Sequence, residues 1–288
     1  MLPPCALSDQ SLYRLLADDV PTGDLTTESL GLCGQPGRLE FHARGPMTVC
    51  GTEEAVRLFI LAGAVARLAM PSGATVDNGT VLLTAEGSVD ALHRAWKTAQ
   101  TLIEWASGIA SGAAALVHAA ASIPVACTRK NAPGTKALSI KAIQSGGAII
   151  HRLGLSETLL IFAEHRQFLD EPPDATIVRL HTRQPEKKIV VEVSSEGEAL
   201  TWAQAGADVL QLEKFTPVAL RACRERLKAE GLHPVLAAAG GVRVDNAADY
   251  VAAGADLIAT SAPYSAAPQD VQVRFFKAGR DGQVISHK

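Results

Sequence analysis

The sequence predicts an α/β protein in which a small α+β domain precedes a parallel α/β barrel. Three observations carry this. From about residue 123 short apolar runs alternate with helical stretches every 20 to 30 residues or so, the rhythm of βαβ units. No G-x-G-x-x-G follows the first strand of that series, as a dinucleotide-binding sheet would require; Gly146-Gly147 follows a helix-like segment instead. Polar residues also follow almost every predicted strand rather than gathering at one switch point, which favours a barrel.

The elements follow in order. Asp18–Thr27 reads as a loop, with Pro21, Gly23 and candidate cap residues. Strands are expected over Arg38–Ala43, Met47–Cys50 and Thr80–Glu86, and helices over Glu53–Ala62 and Ala91–Trp105, giving an α+β domain that ends near residue 107. Six strands follow: Pro124–Thr128, Leu159–Phe162, Ile189–Val193, Asp208–Leu212, Val235–Ala239 and Asp256–Thr260. Helical spacing is read over Lys136–Gln144, Glu196–Ala205, Pro217–Glu230 and Asn246–Ala253.

Composition narrows the function classes. Of 288 residues, 47% are apolar and 20% charged, which suits a large core and argues against disorder. The net charge of −3 gives no basic surface for nucleic acid, so any attraction for anions must be local. Five cysteines without a C-x-x-C pair suggest neither a disulfide framework nor zinc and point to a reducing cytoplasm. The first residues, MLPPCALSDQ, lack the pattern of a signal peptide. Ala106–Thr128 is uncharged and long enough to span a bilayer. It is rich in Ala, Gly and Ser, however, and contains His118 and Pro124, so a buried helix is expected.

Barrel enzymes carry their working residues just past the C-terminal ends of the strands. Here those positions hold Arg129 and Lys130, His151 and Arg152, Glu192, Glu213 and Lys214, Gly240 and Gly241, and Thr260 and Ser261. Arg129, Lys130, His151 and Arg152 form a cationic set suited to carboxylate or phosphate. Pairing with Glu192, Glu213 or Glu157 is the structural alternative. Gly240-Gly241 lets backbone N–H groups approach a ligand, with Asp245 and Asn246 placed to start the next helix; a plain tight turn is the commoner use of such a pair. Glu192 and Glu213 are the candidate acids, able to hold ribose hydroxyls or a Mg²⁺ carried by a diphosphate.

The run Thr128-Arg129-Lys130-x-x-Pro133-Gly134, then Gly146-Gly147, then His151-Arg152-Leu153-Gly154-Leu155-Ser156, resembles the quinolinate phosphoribosyltransferase family. Gly23–Thr27 and Ser107–Ala110 are also similar to it, and the likeness covers nearly the whole chain. The resemblance implies an N-terminal α/β sandwich over residues 1–107, an open seven-stranded, TIM-like parallel α/β barrel over 108–275, and a segment, 276–288, returning to the sandwich. It also implies a homodimer whose active site is completed by the partner's N-terminal domain. The implied chemistry is transfer of phosphoribosyl from phosphoribosyl diphosphate, with Mg²⁺, to an acidic acceptor.

Residue by residue, the likeness implies that Arg129, His151 and Arg152 bind the acceptor and that Lys130 contacts the sugar diphosphate. Glu192 and Glu213 would face ribose and metal, and Gly240 and Gly241, with Ser261, the 5′-phosphate. Four blocks depart from the usual pattern. Lys97 stands where the family has Arg, and Phe162 where it has Lys in an I-K-x-N-H block. Leu212-Glu213-Lys214 replaces L-D-N, and Ala237–Gly241 replaces E-S-S-G-G. With Trp96-Lys97, Gly154–Thr158 and Ser261–Tyr264, these departures are similar to a pyrophosphorylase branch of the family associated with molybdenum transport. The expectation is a phosphoribosyltransferase acting on a less charged acid, with Lys97 and Phe162 on the acceptor side. The rivals are a carboxylating enzyme acting on quinolinate and a non-catalytic binder of a phosphorylated metabolite or oxyanion.

Overall fold

The computed structural model describes residues 5–121, 123–278 and 284–285. In chain order the elements are α1 (Asp9–Asp19), α2 (Leu25–Ser29), β1 (Pro36–Ala43), β2 (Met47–Thr48), α3 (Thr52–Leu61), β3 (Val65–Leu68), β4 (Thr75–Val76), β5 (Val81–Ser88) and α4 (Val89–Ala120). There follow β6 (Val125–Cys127), α5 (Lys136–Ser145), β7 (Ile149–Ile150), β8 (Leu159–Ile161), α6 (Ala163–Arg166), α7 (Pro173–Arg183), β9 (Ile189–Val193) and α8 (Glu196–Gln204). The chain ends with β10 (Val209–Glu213), α9 (Pro217–Ala229), β11 (Val235–Ala239), α10 (Ala247–Ala253), β12 (Leu257–Thr260), β13 (Val271–Ala278) and β14 (Val284–Ile285).

These elements form two compact units. The first comprises residues 1–114, 132–147 and 264–288, and the second 115–131 and 148–263. The first is built on an antiparallel sheet in the order β14-β13-β1-β5-β3. Strand β13 runs along β1 from Ala43↔Val271 to Gly37↔Lys277, so the late chain re-enters this unit. Most of the segment 276–288 lies outside the described residues.

Alternation along β1 buries Leu39 and Phe41, and Phe41 meets Phe59 of α3 edge to face at 5.8 Å. The region read from sequence as a loop contains the end of α1 and the start of α2. Asp24 caps α2, accepting from the Thr26 and Thr27 N–H groups at 3.1 and 3.0 Å.

A buried ion cluster joins α3 to α5. Lys141 Nζ lies 2.9 Å from Glu53 Oε2 and 2.7 Å from Glu54 Oε2, and both carboxylates are almost wholly out of water. Glu53 also accepts from Ser72 N–H and Glu54 from Ala6 N–H, so the burial is compensated.

Helix α4 is the one element, among the described residues, long and apolar enough to cross a membrane. Its Leu92, Ala95, Ala99, Ile103, Ala106, Ile109, Ala110 and Leu116 are fully or almost fully buried inside the protein, which is how an Ala-rich core helix packs.

The second unit is a seven-stranded parallel sheet in the order β7-β6-β12-β11-β10-β9-β8. Each strand beside its sequence neighbour, and β12 beside β6, is barrel order. The sheet stays open between β7 and β8. Runs such as Ile189–Val193 and Val209–Leu212 are apolar almost throughout, as expected of strands covered on both faces.

Because all seven strands are parallel, their C-terminal ends lie along one edge. The register fixes this residue by residue, with Cys127 beside Thr260 and Ile150, Glu213 beside Ala239, and Leu212 beside Val193.

Candidate functional site

That edge collects the charged residues anticipated from the sequence. Arg129 and Lys130 follow β6, His151 and Arg152 follow β7, and Phe162 follows β8. Glu192 lies in β9, Glu213 ends β10, Gly240 and Gly241 follow β11, and Ser261 follows β12. Backbone bonds lock the strand ends together. Thr128 N–H donates to Thr260 O at 2.8 Å, His151 N–H to Cys127 O at 2.9 Å, and Lys214 N–H to Ala239 O at 2.9 Å.

Arg152 is the most telling member. Its side chain is only 6% exposed, yet among the described residues it makes no ion pair and no side-chain hydrogen bond. Its guanidinium lies 5.6 Å from the Phe162 ring centroid, a cation–π contact. Phe162 stacks on His165 at 5.8 Å, and the Phe162 N–H donates to His165 Nδ1 at 3.0 Å. Burial, and then the charge of Arg129, lower the pKa of Arg152. A cation in that state calls for an anionic partner.

His151 behaves differently from the cation expected. Burial first, and then Arg152, hold its pKa below 6.5, with Glu157 pulling the other way. At neutral pH it presents a neutral imidazole, and Arg129, Lys130 and Arg152 remain as the cations of the expected set. No ion pair joins these three to Glu157, Glu192 or Glu213 among the described residues. Glu157 accepts from the Leu153 N–H instead.

The acidic side is built on β9 and β10. Glu192 and Gln211 are register partners, and Gln211 Nε2 donates to Glu192 Oε2 at 2.8 Å. Desolvation and the charge of Glu213 raise the pKa of Glu192, and the Gln211 bond lowers it. Among the described residues no group of three or more His, Cys, Asp or Glu could hold a metal by itself. Two carboxylates suit a Mg²⁺ whose remaining positions are filled by phosphate oxygens and water.

The glycine rim is tightly specified. Gly240 has φ +79°, and a Cβ there would sit 2.7 Å from both Glu213 Oε1 and Lys214 N. Gly241 has φ +105° with open space around it, and its N–H has no acceptor among the described residues. Asn246 closes the turn. Its side chain accepts from Arg243 N–H at 2.8 Å and donates to Gly241 O at 3.2 Å. Thr260 Oγ1 donates to Val242 O at 2.8 Å, fixing the loop to β12. Helix α10 begins at Ala247, just past Asn246.

Lys97 lies in the first unit, exposed on α4, with its ammonium 3.1 Å from Gln100 Oε1 and 5.3 Å from the Trp96 ring centroid. It lines a largely apolar hollow of about 530 Å³ with Leu15, Leu102, Trp105 and Leu138.

Sequence reasoning overlooked three polar features of the edge. Gln211 is buried inside an apolar run. Lys214 holds a left-handed backbone at φ +58°. Thr128 Oγ1 is buried with no hydrogen-bond partner among the described residues. A glutamine interrupting the run V-L-Q-L was the one visible signal.

Comparison with known proteins agrees with this geometry. The family description "Quinolinate phosphoribosyl transferase, C-terminal domain" matches residues 109–274, and its N-terminal counterpart residues 24–107. The provisionally named pyrophosphorylase ModD of Rhodobacter capsulatus is 52% identical over 247 residues, spanning 84% of this chain and 95% of that protein. A provisionally named carboxylating nicotinate-nucleotide pyrophosphorylase of Methanothermobacter thermautotrophicus is 30% identical over 86% of this chain and 91% of its own. Among solved structures, the nicotinate-nucleotide pyrophosphorylase of Francisella tularensis superposes with a TM-score of 0.85 over 93% of this chain and 97% of its own; at 21% identity that likeness speaks to the fold. With both family domains matched in order across the chain, this protein belongs to the quinolinate phosphoribosyl transferase family.

Proposed function

We propose that the open barrel edge binds phosphoribosyl diphosphate and an acidic acceptor, and transfers the phosphoribosyl group with release of diphosphate. The observation that carries this reading is Arg152, a nearly buried arginine that makes no ion pair among the described residues. Support comes from the family and from the similarity to pyrophosphorylase ModD.

In this reading the N–H groups of the Gly240-Gly241 turn, with Ser261, receive the 5′-phosphate. Lys130 contacts the diphosphate. Glu192 and Glu213 face the ribose and stabilise positive charge developing at C1 as its bond to the diphosphate oxygen breaks and the bond to the acceptor forms. Mg²⁺, held by the diphosphate and these two carboxylates, would neutralise charge on the leaving group.

Arg129 and Arg152 bind the acceptor's carboxylate, His151 supplies a neutral hydrogen-bonding ring, and Phe162 gives the pocket an apolar wall. That balance favours an acceptor with one carboxylate on a flat or apolar body. We further propose a cytoplasmic homodimer in which Lys97 reaches the acceptor from the partner's N-terminal domain.

Isothermal titration with phosphoribosyl diphosphate and Mg²⁺ tests the reading. Saturable binding that is lost in Lys130→Gln supports it, and no heat at about 1 mM ligand removes its basis. The similarity to carboxylating nicotinate-nucleotide pyrophosphorylases favours one rival acceptor, quinolinate. Formation of nicotinate mononucleotide and CO₂ from quinolinate would decide for it.

A further inference from the structure

Gln211 is 6% exposed and lies mid-strand in β10, between apolar neighbours on a sheet covered on both faces. A glutamine there is costly unless its amide is paired. Its amide nitrogen is paired with a single side chain, Glu192 on the adjacent strand, at 2.8 Å and in direct register. A carboxylate only accepts hydrogen bonds, so the amide nitrogen, not its oxygen, must face it.

The bond occupies Oε2 of Glu192. Among the described residues Oε1 has no hydrogen-bond partner. Glu213, two residues beyond Gln211, lies on the same face of β10. Glu192 therefore feels two other carboxylates, Glu213 from β10 and Glu164 from α6, against the opposing charge of Arg166 on α6. Repulsion from both acts on the free oxygen, so without the Gln211 bond the carboxylate has no fixed direction.

We propose that Gln211 is a positioning residue for phosphoribosyl transfer: its amide pins one oxygen of Glu192 and leaves the other directed at the sugar diphosphate. The proposal rests on the assignment of Glu192 to that ligand under the function proposed above. It makes Gln211 a residue whose whole effect on the ligand passes through its neighbour.

A double-mutant cycle on the full chain reads this directly. Binding of phosphoribosyl diphosphate with Mg²⁺ is measured by calorimetry for the wild type, Gln211→Met, Glu192→Gln and the double variant, each checked by thermal melting. Gln211→Leu replaces the methionine variant if that one does not fold. The expected result is a loss of about tenfold for Gln211→Met in the wild-type background and less than about twofold in the Glu192→Gln background.

A tenfold loss in both backgrounds, or no loss in either, overturns the proposal while leaving the site assignment intact. If the wild type does not bind, or Glu192→Gln binds like the wild type, the assignment of the site fails and the proposal falls with it.

Discussion

Replacing either rim glycine by alanine separates backbone conformation from close packing, because the two differ in only one respect. Both have positive φ, +79° at Gly240 and +105° at Gly241. Forcing an alanine into such a conformation costs about 1–2 kcal/mol. At Gly241 nothing lies within 4 Å of the new Cβ, so that is the whole expected cost. At Gly240 the Cβ would come within 2.7 Å of Lys214 N, a backbone atom tied to Ala239 O, and of Glu213 Oε1. Relieving that overlap means separating the ends of β10 and β11, which adds about 1–3 kcal/mol by analogy with overpacked cores.

Urea unfolding should therefore show Gly240→Ala less stable than Gly241→Ala by about 1–3 kcal/mol. Gly240→Ala should also bind phosphoribosyl diphosphate more weakly, since Glu213 must move. Equal stabilities for the two variants, or a Gly240→Ala indistinguishable from the wild type, would refute the packing argument.

Three other outcomes follow from the same structure. Lys141→Met strands two buried carboxylates and should lower unfolding stability by about 3–5 kcal/mol in urea titrations. Arg152→Met removes a nearly buried cation that makes no ion pair among the described residues, so melting temperature should hold or rise while binding of the acidic acceptor is lost; a large drop in melting temperature would show that Arg152 has a structural partner. His151 has a folded pKa below its ordinary 6.5 because burial, then Arg152, disfavour its charge. The unfolded chain then binds more protons as pH falls below 6.5, so stability is fully present above that value and is lost as pH drops through the folded value. In His151→Gln that part of the acid dependence should vanish from denaturation curves taken between pH 7 and 5.

The barrel was legible because its signals are redundant. Ile189–Val193 and Val235–Ala239 appear in the structure with the bounds read from the sequence, since each is a short apolar run followed, after a polar turn, by a helix. Elements without such contrast were not visible. Strand β3 has half-exposed and exposed residues, Val65–Leu68, and gains its place by pairing with β5 and packing near α3. Strand β7 is two residues long and is defined by its neighbour β6. Helix α1 has just two buried residues, Leu12 and Leu16, so its apolar stripe is too thin to read.

At the site, residue types and their placement after strands were enough to gather Arg129, His151, Arg152, Glu192, Glu213 and Gly240 on one edge. Their chemical state was not readable. That His151 is neutral depends on its burial and on Arg152, and that Glu192 is tethered depends on a cross-strand register. Both are properties of the folded chain alone.

A crystal structure of the protein soaked with phosphoribosyl diphosphate and Mg²⁺ puts the whole account at risk in one measurement. The 5′-phosphate should lie against the N–H groups of Gly240 and Gly241, with C1 facing Glu192 and the acceptor side open toward Arg152 and Phe162. Ligand density away from the C-terminal edge of the sheet, with Arg152 satisfied by a protein carboxylate, would contradict it.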